Sequence, residues 1–439
     1  MTVLDVTPRP VLRFRLPAIG ALCAALLAVF ATAASAKPLY GVQGVPTYAG
    51  ATQAQVDTAL NAARSAHAKV IRVEVLWSKL EPRAAGERDA AELAAVDRVV
   101  SGAAARGMKT LLMIDSTPCW ASSSPDRGSC AGSDPNVNKV TRYPPAGNAG
   151  YVDVSTFLVA RYAANLAAFE VWNEPDQANE LYWAGPSKIK GYVAMAKAVY
   201  PAVKKVAPKV PVLAGSFVGA NGKWLQALYA AGLKGSYDAL SVHFYDLPLS
   251  ALTTTRAVQK RNHDSKPMWL AEFGFTSCYS KGGPAYKIDH ACNTRAGQAH
   301  NLTDTLRKVA SVSWVKAAIV YTINDQSDAY QFGLLTASGA RKPAFAAVSN
   351  VFAGKKVAVT KPKMAKLRAS KGRVLVKGTA TQTETFKLRV WRSGTLVYRA
   401  TLRTDRFGAY RVLLPAVLGT SSLRVRLSGT WTGSVTRTR

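Results

Sequence analysis

Residues 167–175 read Ala167-Ala168-Phe169-Glu170-Val171-Trp172-Asn173-Glu174-Pro175, a short apolar run that stops at polar residues and a proline. Its length and its aromatic and β-branched content read as a buried strand, and the Asn-Glu-Pro tail as the loop that follows. Seven further runs have the same form: LYGVQGV from Leu39, KVIRVEVLW from Lys69, KTLLMID from Lys109, VPVLAG from Val210, ALSVHFY from Ala239, PMWLAEFGF from Pro267 and AAIVYTIND from Ala317. Segments with helical spacing lie between them, such as Gln53–Ala68, Ala90–Arg106, Tyr192–Val206 and Ala296–Val309. Eight strands, most followed by a helix, predict an α/β fold of the (β/α)8 or TIM-barrel type over residues 37–353. An open doubly wound sheet is the structural rival. It is disfavoured because no glycine-rich phosphate turn follows the first strand, and eight units are many for that fold.

Outward from the barrel the texture changes at both ends. Residues 1–36 read as a secretory signal: Arg9, Arg13 and Arg15, an apolar run from Leu16 to Ala31, then Ala34-Ser35-Ala36 as the small-residue cleavage site. Read this way, the mature protein keeps no membrane span; an uncleaved anchor is the alternative, but the apolar run is short for one. Residues 354–370 read as a basic linker. From 371 to 439, alternating runs (RVLVKG, TFKLRVWR, LVYRATLR, AYRVLLP, SLRVRLSG) predict a small all-β sandwich.

Charge points to a partner, and cysteine usage fits an exported protein. The net charge is +31, and residues 351–439 hold 20 Lys/Arg against Glu384 and Asp405 alone, a surplus of 18. Such a field attracts anionic surfaces. An acidic cell-wall polymer or acidic polysaccharide is the expected partner; no nucleic-acid motif is present, and a merely solvated charged face is the plainer reading. With Cys23 removed in the signal, Cys119, Cys130, Cys278 and Cys292 allow three pairings. Cys119–Cys130 and Cys278–Cys292 are expected, because each closes a short loop in an oxidising compartment. No C-x-x-C spacing points to zinc, and neither metal nor cofactor is expected.

Chemistry concentrates on two glutamates. Glu174 ends the fourth strand, and Glu272, in Trp269-Leu270-Ala271-Glu272-Phe273-Gly274, ends the seventh. In a parallel barrel these ends meet on one face, so the two carboxyl groups oppose each other across a pocket. Glycoside cleavage needs such a pair. Trp172-Asn173-Glu174-Pro175, Glu272-Phe273-Gly274 and His243-Phe244-Tyr245 together resemble the retaining glycosidase clan that carries its acid/base and nucleophile on strands four and seven. Within it the phrasing is most similar to families 39 and 5, over about residues 39–352. WSKLEP from Trp77 and Thr117-Pro118-Cys119-Trp120 add to the likeness with family 39.

The resemblance implies Glu174 as acid/base, Glu272 as nucleophile, Asn173 on the sugar 2-hydroxyl, and Arg72 and Tyr245 supporting Glu272. His243 matches the strand-six His-x-Tyr of the clan; a sugar contact and a satisfied core histidine are its two readings. Many members end strand eight with a tryptophan; this chain has Tyr321 there. Trp120, Trp172, Trp183 and Tyr321 are candidate sugar platforms, Trp120 and Trp183 foremost because they lie beyond strand ends, though aromatics are more often core. Arg72 inside an apolar strand needs a carboxylate partner, for which Glu74 on the same face is one candidate. Asp115, Asn324 and Asp325 are weaker candidates, and the Asn301-Leu302-Thr303 sequon falls in an expected helix. The function expected is a secreted, retaining β-glycosidase acting on an oligo- or polysaccharide; a non-catalytic wall-glycan-binding protein is the alternative.

Overall fold

The computed structural model describes residues 37–126, 139–245, 250–279, 291–355, 362–380, 385–405, 409–429 and 434–439. Eight parallel strands close in sequence order: β1 (Leu39–Gln43), β2 (Val70–Leu76), β3 (Lys109–Asp115), β4 (Leu166–Val171), β5 (Val212–Val218), β6 (Ala239–Tyr245), β7 (Met268–Gly274) and β8 (Val315–Val320), with β8 pairing back onto β1. The fold is thus the TIM barrel expected from the strand–helix alternation. Its helices include Gln53–Ser65, Ala90–Ala105, Lys188–Val206 and Arg295–Ala310, each within a few residues of its predicted span. The first of these starts at a capping box, Thr52 with Gln55, which satisfies two otherwise orphaned backbone N–H groups. Asn301 lies within the helix Arg295–Ala310.

Inward-facing side chains fill the bottom of the barrel. Val70, Leu111, Ala168, Leu213, Ala239, Trp269 and Ala317 form one buried cluster inside the ring of strands. The larger cluster lies between strands and helices and includes Ile71, Leu112, Phe169 and Leu240. Successive residues of one strand therefore belong to different cores, as the twofold alternation of a strand requires.

Two antiparallel sheets follow the barrel. One joins β10 (Arg368–Ser370), β11 (Arg373–Thr379) and β14 (Ala409–Leu413), with β9 (Lys363–Met364) also on β11. The other runs β13 (Thr395–Arg403), β12 (Thr385–Arg392), β15 (Leu423–Gly429), β16 (Ser434–Thr438). Their shared core holds Val374, Val376, Phe386, Leu388, Val390, Val425 and Leu427. Here the expected linker 354–370 is corrected: β9 and β10 lie within it and pair with β11. Met364 and Leu367 are buried beneath them, and Lys361, Lys363, Lys366 and Arg368 around these anchors disguised the strands as a charged connection.

Cys278 and Cys292 are bonded, with Cα atoms 5.0 Å apart, and pin the loop after β7. Cys119 is also disulfide-bonded; its expected partner Cys130 lies outside the described residues, as do residues 1–36, where a signal is expected. Among the described residues no helix is long and apolar enough to cross a membrane.

Candidate active site

Above the apolar layer, the same alternation turns polar. Along β2, Arg72 and Glu74 follow Val70 inward; Glu170 follows Ala168 on β4, and Ser241 and His243 follow Ala239 on β6. On β7 strict alternation would point Glu272 outward, because Trp269 and Ala271 belong to the interior cluster. The register slips there: Leu270 pairs with Val242, yet Glu272 pairs with His243. The extra residue re-aims Glu272 into the barrel, as bulges beside active sites do. At β4 the chain leaves the strand through positive φ angles at Trp172 (62°) and Glu174 (38°). Left-handed backbone is costly for these residues and persists only where surroundings impose it. Buried Trp172 supplies that constraint: its backbone N–H donates to the Tyr151 hydroxyl at 3.1 Å and its indole N–H to the Tyr182 carbonyl at 2.8 Å.

Arg72 is the hub. Its Nε donates to Glu170 Oε2 at 2.8 Å, Nη1 to Glu272 Oε2 at 2.8 Å and Gln43 Oε1 at 3.0 Å, and Nη2 to Asn173 Oδ1 at 2.9 Å. Tyr245 donates its hydroxyl proton to the other Glu272 oxygen. Gly274 lets the Tyr245 ring and β8 come this close, since a Cβ there would stand 2.6 Å from the Tyr321 carbonyl oxygen. Behind the glutamates, His243 bridges Glu174 Oε1 through Nδ1 at 2.7 Å and Glu170 Oε1 through Nε2 at 3.3 Å. Gln177 Nε2 donates to Glu174 Oε2. Glu174 and Glu272 are 5% and 8% exposed, enough for a ligand to touch and too little for bulk water to surround them.

Burial acts against the charge of Glu170, but the Arg72 cation, His243 and the Ser241 hydroxyl overcome it and hold the carboxyl at about 2. Burial likewise opposes a charged His243, yet the Glu272 charge and its bonds to Glu170 and Glu174 raise it to about 10. Glu170 gains its proton at lower pH when folded than when unfolded, so its contribution to stability is present above about 4.5 and fades as pH falls toward 2. The contribution of His243 is complete below about 6.5 and fades as pH rises toward 10. The urea midpoint advantage of wild type over His243→Gln should therefore shrink steadily from pH 6.5 to 10; an advantage constant over that range would show that His243 is not a cation.

A cleft of about 490 Å³ opens over this network. Arg72, Asn173, Glu272 and Tyr321 lie on its wall, together with Glu74, Asp115 and Tyr182; Glu174 and Tyr245 are not among its lining residues. Asp115 Oδ1 is buried and has no hydrogen-bond partner among the described residues. Burial and the neighbouring Glu74 charge push its carboxyl well up. Oxygens of Glu174 and Glu272 and a ring nitrogen of His243 lie within 4.8 Å of one another, a trio with the spacing of metal ligands. A protonated His243 offers no lone pair, and the Arg72 guanidinium beside Glu272 opposes a second cation.

Several expectations change. His243 does not face the cleft; it is fully buried behind Glu174. Trp120 does not line the cleft either: its indole N–H donates to the Glu81 carbonyl at 2.7 Å, and its ring packs edge-on against Trp77. Trp183 is buried between Trp172 and Tyr192. The partner of Arg72 is Glu170 with Glu272, and Glu74 adds only its charge. Asp325 is tied to Lys342 at 2.7 Å. Glu170 went unremarked in the sequence, although a lone acid inside AAFEVW, buried with Arg72 two strands away, signals an ion pair.

A closed parallel barrel that opposes carboxylates from β4 and β7 over an arginine from β2 defines a clan A retaining glycoside hydrolase. Residues 32–314 match the family model described as Cellulase (glycosyl hydrolase family 5), and the chain belongs to that family. Its structure is similar to a family 39 glycoside hydrolase from the gut symbiont Bacteroides cellulosilyticus WH2, with TM-score 0.55, 19% identity and coverage of 86% of this chain and 81% of that one. It is also similar to a GH39 β-xylosidase from Caulobacter crescentus, with TM-score 0.54, 16% identity and coverage of 87% and 95%. A GH30 endoxylanase from Clostridium papyrosolvens C71 follows, with TM-score 0.52, 13% identity and coverage of 87% and 96%. These identities make the likeness one of fold. No curated protein matches the chain in sequence.

Proposed function

We propose that the chain is a secreted β-glycosidase that cleaves an oligo- or polysaccharide by double displacement, with Glu272 as nucleophile and Glu174 as acid/base. The observation that carries this is the meeting of the two carboxyl groups, an oxygen of each lying within 4.8 Å of the other, with Arg72 and Tyr245 fixing Glu272. Retention needs carboxyl groups about 5–5.5 Å apart, and so close an approach of their oxygens is compatible with it.

In the first step a Glu272 oxygen bonds to the anomeric carbon as the glycosidic bond breaks, and Glu174 gives its proton to the departing oxygen. Arg72 and Tyr245 fix the Glu272 carboxylate for attack, and burial keeps the Tyr245 phenol protonated as a donor. Forming the glycosyl-enzyme removes the Glu272 charge. Glu174, now a carboxylate, takes a proton from water, whose oxygen attacks the same carbon and releases Glu272. Gln177 suits both states of Glu174. Its Nε2 donates to a charged carboxylate; with the amide turned over, its buried Oε1, which has no partner among the described residues, would accept from a protonated one. Asp115 and Asn173 on the cleft wall are ready contacts for sugar hydroxyls. The amino-terminal signal would export the enzyme, and the basic sheets would hold it on an acidic polymer.

The test is leaving-group dependence. Glu174→Ala should lower kcat/KM about 10²–10⁴-fold on alkyl β-glycosides and natural glycans, whose leaving oxygen needs a proton. Activated aryl β-glycosides should lose far less. An equal loss on both substrate types would remove Glu174 from the acid role.

A further inference from the structure

On the sheet β13-β12-β15-β16, alternate residues face the core and water. Phe386, Leu388 and Val390 on β12 and Leu423, Val425 and Leu427 on β15 are buried. The outward residues set cations side by side: Arg389 pairs in register with Arg399 on β13 and with Arg426 on β15. Adjacent strands stand about 4.8 Å apart, so three exposed guanidinium groups share one row, and like charges directly opposite destabilise a sheet. None of the four strands contains an aspartate or glutamate. A face shaped for solubility alone would interleave the two signs.

Beside this row, half-buried Trp391 pairs with exposed Leu396 and has Arg424 5.8 Å from its ring. Trp391, Leu396, Arg389 and Arg399 border a groove of about 490 Å³. We infer that this face is a binding site for an anionic polysaccharide chain, with the row of arginines pairing its acidic groups and Trp391 stacking on a sugar ring. This rests on the reading that the basic domain holds the enzyme on an acidic polymer, and it locates where. Guanidinium groups match carboxylates in planar, two-pronged geometry, and a bound polyanion turns their mutual repulsion into attraction. An aromatic ring amid cations also suits single-stranded nucleic acid. The polysaccharide is favoured because the same chain carries a glycoside hydrolase barrel.

The experiment measures binding of the full chain to polygalacturonate, carboxyl-reduced polygalacturonate, single-stranded DNA and phosphatidylglycerol vesicles over a salt series. Three variants are compared with wild type: Arg389→Gln/Arg399→Gln/Arg426→Gln, Trp391→Ala, and a control of equal net charge on the other sheet, Lys363→Gln/Lys377→Gln/Arg411→Gln. The first should weaken polygalacturonate binding at least tenfold and lower the slope of log K against log salt by about two to three. Trp391→Ala should weaken it several-fold with little change of slope, and the control less than threefold. Hydrolysis of a small aryl glycoside should be unchanged throughout, and the midpoint of thermal unfolding of the first variant should stay level or rise. Equal losses in the two triple variants would overturn the site while leaving the domain's role as a charged anchor. Tighter binding of DNA or vesicles through the same arginines would overturn the polysaccharide as ligand. Wild type that ignores polygalacturonate would overturn both the site and the anchoring role.

Discussion

Glu272→Ala is expected to lower kcat on every substrate, activated or not, by about 10⁵-fold, because no other group can form the covalent intermediate. The fold should survive the change. Arg72, the cation that Glu272 neutralises, keeps its bonds to Glu170, Asn173 and Gln43. Urea midpoint and activity should thus separate, with a modest stability change beside near-total loss of turnover. This pattern differs from that of Glu174→Ala, whose loss depends on the leaving group. A Glu272→Ala protein that retained a tenth of wild-type kcat would exclude Glu272 as nucleophile.

Glu170→Ala should do the reverse and damage stability first. Glu170 accepts from Arg72, His243 and Ser241 at a fully buried position. Removing it takes from Arg72 its main counter-charge and from His243 one of its two carboxylate partners, and breaking a buried pair in this way costs about 3–5 kcal/mol. That is a large share of the total stability of a typical domain, about 5–15 kcal/mol. The urea midpoint should fall accordingly, with the slope of the transition unchanged. Glu170→Gln, which keeps the shape and one acceptor, should lose less. A midpoint equal to wild type for Glu170→Ala would mean that Arg72 and His243 are satisfied without it.

Much of the site could be read before the structure was known. Glu174 and Glu272 were legible because each ends a strand-like run with a polar residue, and parallel strand ends share one face of a barrel. Arg72 was legible as a charge inside an apolar strand. Its partner was not, because Glu74, two residues away, and Glu170, two strands away, are equally plausible by composition. Trp120 and Trp183 misled in one way, since a residue past a strand end can turn toward the cleft or back against the core, and His243, inside β6, in another. Trp120 and Trp183 turned back because Trp77, Trp172 and Tyr192 offered them aromatic edges, and His243 is kept from the cleft because both its ring nitrogens are taken up by Glu174 and Glu170. The strands at Lys363–Met364 and Arg368–Ser370 were hidden because two buried anchors are too few to make a period visible.

By itself the sequence determined the order of strands and helices, the barrel they close into and the pair of glutamates at its mouth. Each of these follows from local pattern: apolar period, strand length and the polar residue that ends the run. Tertiary structure alone decided which carboxylate neutralises Arg72, that a bulge on β7 turns Glu272 inward, and that three arginines on separate strands form one row. Those outcomes depend on register between strands. Register is set by how whole faces pack, and a shift of one residue sends every side chain to the opposite face.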